Sequence, residues 1–210
     1  MRRKKANKLI MIITLILVAI IGICLLLSKK QPTQKLVQIY NQIKEEQPYY
    51  FEMEKNDKNK VIMAQKDNKI MIDQYSENNH STTIVKDNNT YYYILHNREE
   101  YYVYEQNNIK QNILPDGFKE IIAKPFETGT EKIKGKKYSY EEYSGSTMFI
   151  ITNDLDLNEE NIKTRFFFDN DGNLVYIKTM TNNDQELLKV NFTKEVNEEL
   201  FEVPSHYAEY

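Results

Sequence analysis

The sequence predicts an α+β fold that is mostly antiparallel β: a curved half-barrel sheet with one long N-terminal helix and a short inserted helix, preceded by one transmembrane helix. Three observations predict it. Leu9 to Leu27 is a run of nineteen residues without a charge. After it comes one amphipathic stretch, then a series of short β-prone segments spaced too closely for the crossovers that parallel neighbours need. Finally, Tyr91-Tyr92-Tyr93-Ile94-Leu95 and Phe166-Phe167-Phe168 are apolar on both faces. That suits a curved sheet with a helix on one side and a further covering, or a cavity, on the other.

The apolar run comes first. As a helix it spans about 28 Å, close to the roughly 30 Å hydrocarbon core of a bilayer. Arg2, Arg3, Lys4, Lys5 and Lys8 precede it and only Lys29 and Lys30 follow. This bias puts the N-terminus in the cytoplasm and the rest of the chain outside, at the cell membrane, in a single pass. The expected organisation is a basic stub at 1–8, a signal anchor at 9–27 with Leu9, Leu17 and Leu27 inside the bilayer, a linker at 28–34, and an extracytoplasmic domain at 35–210. A cleaved signal is the other reading of the same charged start, but no small-x-small site closes the run. Cys24 leaves two readings open: a thiol buried in the membrane helix, or the acylated cysteine of a lipoprotein signal. Its approach, Ile21-Gly22-Ile23-Cys24, carries a bulky Ile where such signals place a small residue.

Cys24 is the only cysteine, so no disulfide forms within the chain and the domain must stand on its core. All 31 acidic residues lie beyond residue 30, with 21 of the 28 basic ones, so that part carries a charge of about −10. An acidic domain is a poor partner for nucleic acid or for anionic lipid headgroups.

Next, Thr33 stands where an N-cap would. Leu36, Ile39, Tyr40 and Ile43 follow at helical spacing, and the helix ends before Pro48. Strands are expected at 49–54, 61–65, 70–75, 82–86, 90–95 and 101–105, with polar turns such as Asn56-Asp57-Lys58-Asn59 and Asp87-Asn88-Asn89 between them. A short helix at 115–123 interrupts. Strands resume at 131–133, 137–143, 147–152, 163–168, 174–180 and 187–194. Ten to twelve strands with one long helix make a strongly curved sheet or open barrel. Tyr91, Tyr93 and Phe167 are the candidate lining of its interior.

No catalytic, cofactor or metal residue is expected. His80, His96 and His206 have no Cys partner and no H-x-x-x-H spacing, and the first two read as turn residues. Asp169-Asn170-Asp171-Gly172-Asn173 resembles a calcium loop, but Leu174 and Met180 stand where Gly and Glu are needed. It reads as a hairpin turn with Gly172 supplying the positive φ. Asp154-Leu155-Asp156-Leu157-Asn158 fails the same test. Ser144-Gly145-Ser146 lacks the nucleophile elbow, and six glycines leave no phosphate loop.

The order of parts resembles the outer-membrane lipoprotein-carrier superfamily: a membrane signal, a helix, a meander with charged hairpins, the turn Asp169-Asn170-Asp171-Gly172, two more strands, and a closing Phe201-x-x-Pro204-x-x-Tyr207. The resemblance covers residues 33–210 and implies a half-barrel whose helices enclose a hydrophobic cavity for acyl chains. Among its members, the anchored germination lipoproteins of spore formers are most similar in their Lys- and Asn-rich composition. They imply a non-enzymatic module that binds a cell-wall amidase. The leading expectation is therefore an anchored binding module that scaffolds or activates a cell-envelope partner. The alternative is acyl-lipid or lipoprotein binding and transfer, and the third reading is a cell-wall-acting enzyme. Long open sheet edges also allow a homodimer.

Overall fold

The computed structural model describes residues 34–44, 47–56, 58–76, 79–105, 113–144 and 162–210. Helix α1 (Lys35–Ile43) leads into β1 (Tyr49–Asn56), β2 (Asn59–Lys66), β3 (Lys69–Ser76), β4 (Asn79–Asp87), β5 (Thr90–Leu95) and β6 (Glu100–Glu105). Helix α2 (Ile113–Ile122) is followed by β7 (Phe126–Ile133), β8 (Lys136–Ser144), β9 (Lys163–Phe168), β10 (Leu174–Met180) and β11 (Gln185–Thr193). A 3-10 turn at Glu198–Phe201 and β12 (Ala208–Glu209) end the chain. The run at Leu9–Leu27, with Leu17 and Cys24, and the strand expected at 147–152 lie outside the described residues. So do Thr33, Gly145, Ser146 and Asp154 to Asn158. Among the described residues, no helix is long and apolar enough to cross a membrane.

The strands form one open, curved sheet in the order β12-β6-β5-β4-β3-β2-β1-β11-β10-β9-β8-β7. Two meanders meet where β1 pairs with β11, with Tyr50 opposite Thr193 and Met53 opposite Val190. Every pairing is antiparallel except that of β12, whose two residues run parallel to β6. The C-terminal strand departs from the expected meander because the chain returns to that edge by a long segment rather than a hairpin.

Side chains alternate across this sheet, and each half buries a different side. On one face, Leu36, Ile39 and Ile43 of α1 and Leu114, Phe118 and Ile121 of α2 cover Phe51, Met53, Phe166, Phe168, Ile177 and Leu188. Phe118 is fully buried, its ring edge-on to Phe51 at 5.8 Å. On the opposite face, Ile62, Ala64, Met71, Val85 and Ile94 pack under Phe201, with Leu200, Val203 and Tyr207 around it. The C-terminal segment thus supplies the second covering that the two-faced strand β5 requires.

The first helix is shorter than its sequence suggests: nine residues against ten for α2. Lys44 turns extended while its N–H still donates to the Tyr40 carbonyl at 2.8 Å. Two turns suffice to lay three apolar side chains on the sheet. Its start is capped from afar, because Gln34 at the N-cap makes no side-chain cap bond. Instead the buried Glu141 carboxylate of β8 accepts from the N–H groups of Lys35 and Leu36, the latter at 3.1 Å. That meets two orphan donors and sets a negative charge at the positive end of the helix dipole.

Candidate functional site

Pairing register builds a ladder on the helix side of the sheet. Met63, Ile72, Ile84, Tyr93 and Tyr102 lie directly opposite one another on β2 to β6. Met63 belongs to the helix-covered core, and Ile72 packs at its margin. Beyond them cover is lost: Ile84 and Tyr102 are half-buried and Tyr93 is 38% exposed. A second row, Ile70, Lys86, Tyr91 and Tyr104, runs beside the first, with Tyr104 56% exposed. The Lys86 ammonium stands 5.9 Å from the Tyr91 ring. An aliphatic and aromatic strip therefore continues the closed core outwards into partly open surface. Such continuous apolar exposure on a strand face is what binding surfaces show.

Of the three expected lining residues, Tyr91 and Tyr93 share this face, and Phe167 does not. Phe166 and Phe168 take the helix side of β9, so strand alternation turns Phe167 to the other side. There it is fully buried, its ring 5.6 Å from Tyr140 in an edge contact. Tyr140 lies over Gly129, where a Cβ would come within 2.4 Å of the phenol oxygen. The Arg165 guanidinium closes the stack at 4.5 Å from the Tyr140 ring. Arg165 donates to Glu142 and Glu131 at 2.6 Å each, Lys178 to Glu131 and Lys163 to Glu142 at 2.9 Å each. Burial pushes both carboxyls up, but these cationic hydrogen bonds outweigh it and hold them below the ordinary glutamate range. Phe167 is thus sealed beneath an ion-pair network.

Behind the strip, on the side covered by the C-terminal segment, a polar cluster has formed that no spacing in the sequence announces. Asp73 of β3 lies opposite Thr83 of β4, Tyr75 lies opposite His80, and His96 opens the turn after β5. His80 is a strand residue here, not a turn residue. Asp73 Oδ1 is 2.6 Å from His80 Nε2 and accepts from the Thr83 hydroxyl at 2.7 Å. Thr83 Oγ1 is 2.6 Å from His96 Nε2, and His96 Nδ1 is 3.0 Å from the Tyr207 hydroxyl. The two imidazoles stack at 3.3 Å, and Tyr75 stacks on His80 at 4.3 Å. Burial, then the Asp73 charge, pushes the Tyr75 phenol up to about 12. Hairpin parity could have found only part of this cluster: with Asp73 opposite Thr83 and Thr83 opposite Ile94, His96 falls on their face, whereas His80 reaches it through a register shift between Gln74 and Tyr75 that no local pattern marks.

The Asp169 segment is a turn. Asp169 Oδ1 accepts from the N–H groups of Asp171 and Asn173 at 3.0 and 2.8 Å, and Gly172 has φ of +87°. A shallow groove of about 330 Å³ at β1 and β11 is lined by Glu52, Glu54, Lys189, Val190 and Asn191. Its charges make it unfit for an apolar ligand.

No family model matches the chain, and no curated protein matches it. Among solved structures, it is similar to an uncharacterized conserved protein from Thermus thermophilus. Identity there is 6%, the TM-score 0.43, and the match covers 86% of this chain and 99% of that one. It is also similar to the Mycobacterium tuberculosis lipoprotein LppX, at 11% identity and a TM-score of 0.40, over 80% of this chain and 99% of that one. Both are likenesses of outline, and neither carries a residue or an activity over to this chain.

Proposed function

We propose that this domain binds an acyl chain, of a lipid or a lipoprotein, along the helix-side strip of β3 to β6, without catalysis. The observation that carries this reading is the continuity of the strip with the closed core: Met63 is 8% exposed and Tyr93, two strands beyond Ile72, 38%. A flexible hydrocarbon laid along it would remove about 0.8 kcal/mol of unfavourable hydration per buried methylene. The run Leu9–Leu27 would hold the domain at a bilayer from which such chains are drawn. The β7 edge, the end of the sheet among the described residues, favours a second reading, in which a cell-envelope protein, or a second copy of the chain, adds a strand there.

The test is photolabelling of the full chain in vesicles that contain a lipid with a photoreactive acyl chain. Label is expected on Tyr93 and Tyr102 as well as on residues 9–27, and Tyr93→Asp removes the former while sparing the latter. Label confined to residues 1–33 contradicts acyl binding.

A further inference from the structure

The polar cluster has the donor set of a metal site. One ligand atom each from Asp73, His80 and His96 lies within 4.8 Å of the others. We propose that Asp73 Oδ1, His80 Nε2 and His96 Nε2 bind one divalent transition-metal ion of the zinc class, with the Thr83 hydroxyl at the fourth corner.

Four of the six distances among these atoms are within 3.2 Å, and the three Asp and His ligand atoms all lie within 4.8 Å of one another. Asp73–His80, Asp73–Thr83 and Thr83–His96 edges measure 2.6, 2.7 and 2.6 Å, and Thr83–His80 measures 3.2 Å. Zinc bonds of 2.0–2.2 Å set such edges at about 3.3–3.5 Å, so each short edge opens by less than about 1 Å. Rotations of the Asp73, His80 and His96 side chains supply that and turn the two imidazoles out of their 3.3 Å stack so that both Nε2 lone pairs converge; His80 has room to turn, because its side chain is 34% exposed. Solvent reaches the site by the same route.

The surroundings fit a ligating role. His96 is half-buried, held between the Thr83 hydroxyl on Nε2 and the Tyr207 hydroxyl on Nδ1. With Nε2 on the metal, Nδ1 carries the proton and donates to the Tyr207 hydroxyl, the outer hydrogen bond that metal-bound imidazoles usually make. Two imidazoles and one carboxylate with a remaining polar position suit zinc or another late divalent ion. Bound there, the ion joins β3, β4 and the turn after β5. Through Tyr207 it also steadies the C-terminal segment over the second core. In a chain without a disulfide, such a site is a cross-link of another kind.

The test uses the full chain in detergent, in a Cys24→Ser background, stripped with a chelator and titrated with zinc chloride against a chromophoric competitor. One zinc per chain is expected, with a rise in Tm, and cobalt(II) in its place gives visible d–d absorption. Asp73→Asn and His96→Gln abolish the stoichiometric binding. Tyr207→Phe weakens it about 10- to 100-fold, and His206→Gln leaves it unchanged. Histidine ring ¹⁵N shifts of the unsubstituted chain give a second readout that needs no variant: both Nε2 signals, of His80 and His96, move on zinc addition. Unmoved ring signals, or equal zinc affinity in His96→Gln, would mean that the cluster is a hydrogen-bonded network only.

Discussion

The two halves of the sheet solve the same packing problem on opposite sides. In β8 to β11, with β1, the helix side is the core, and on the far side of β8 to β10 Tyr140, Arg165 and its carboxylate partners close over Phe167. In β2 to β6 the far side is the core, under the C-terminal segment, and the helix side is left partly open. Alternation is the same in both halves. What differs is which covering element reaches them, and the surface left over is the strip from Ile72 to Tyr102. A strand apolar on both faces therefore has two meanings: Phe167 completes a core, whereas Tyr93 stands beyond one.

Substitutions sharpen this difference, and the largest effect is expected where the helices close the core. Phe118→Ala leaves a cavity between Phe51 and Phe166 and lowers stability by about 3–5 kcal/mol in denaturant titrations. A loss under about 1 kcal/mol would show that α2 covers little.

The ion-pair face comes next. Arg165→Met leaves Glu142, whose side chain is 7% exposed, with Lys163 as its one cationic partner named above, and costs about 2 kcal/mol after allowance for the partial exposure of Arg165 and Glu131. The same groups give a pH dependence. Both carboxyls are held lower in the folded state than in the unfolded chain, so unfolding takes up protons as the medium is acidified. Their contribution is full above about pH 4.5, the unperturbed glutamate value, and is lost as pH falls through the lower folded-state values. In Arg165→Met the acid transition should be shallower, measured by thermal melts from neutral to acid pH. An unchanged slope would place the acid sensitivity elsewhere.

A smaller effect is expected at the remote helix cap. Glu141→Gln keeps an acceptor for only one of the Lys35 and Leu36 N–H groups, turns an amide NH2 toward the other and removes the charge from the end of the α1 dipole, costing about 1.5 kcal/mol. Smallest of all, Tyr93→Asp changes stability by less than about 0.5 kcal/mol, because its side chain already meets water. If it unfolds the domain instead, the strip is core and not a binding surface.

Local pattern carried most of the fold. Leu36, Ile39 and Ile43 gave α1 by spacing, polar turns separated the hairpins, and Gly172 marked its turn. What escaped was non-local. Nothing within β1 or β11 says that they pair, because about 140 residues of separation leave no local signal. The cap on α1 comes from Glu141 for the same reason. For the candidate site, Tyr91 and Tyr93 were legible as aromatics in a two-faced strand, while the side Phe167 takes depended on the register of β9. The His80 and His96 pair was missed because metal-ligand spacing rules describe helices and loops, whereas here two hairpins bring the residues together.

Acyl binding by the strip is open to a direct mass measurement. Native mass spectrometry of residues 34–210, the unit that contains both hydrophobic clusters, tests it most directly, with the domain secreted and purified without added lipid. A mass excess equal to one acyl lipid is expected in the unsubstituted domain, and its loss in Tyr93→Asp at unchanged Tm. A lipid-free mass for the unsubstituted domain, or an equal excess in both, would contradict it.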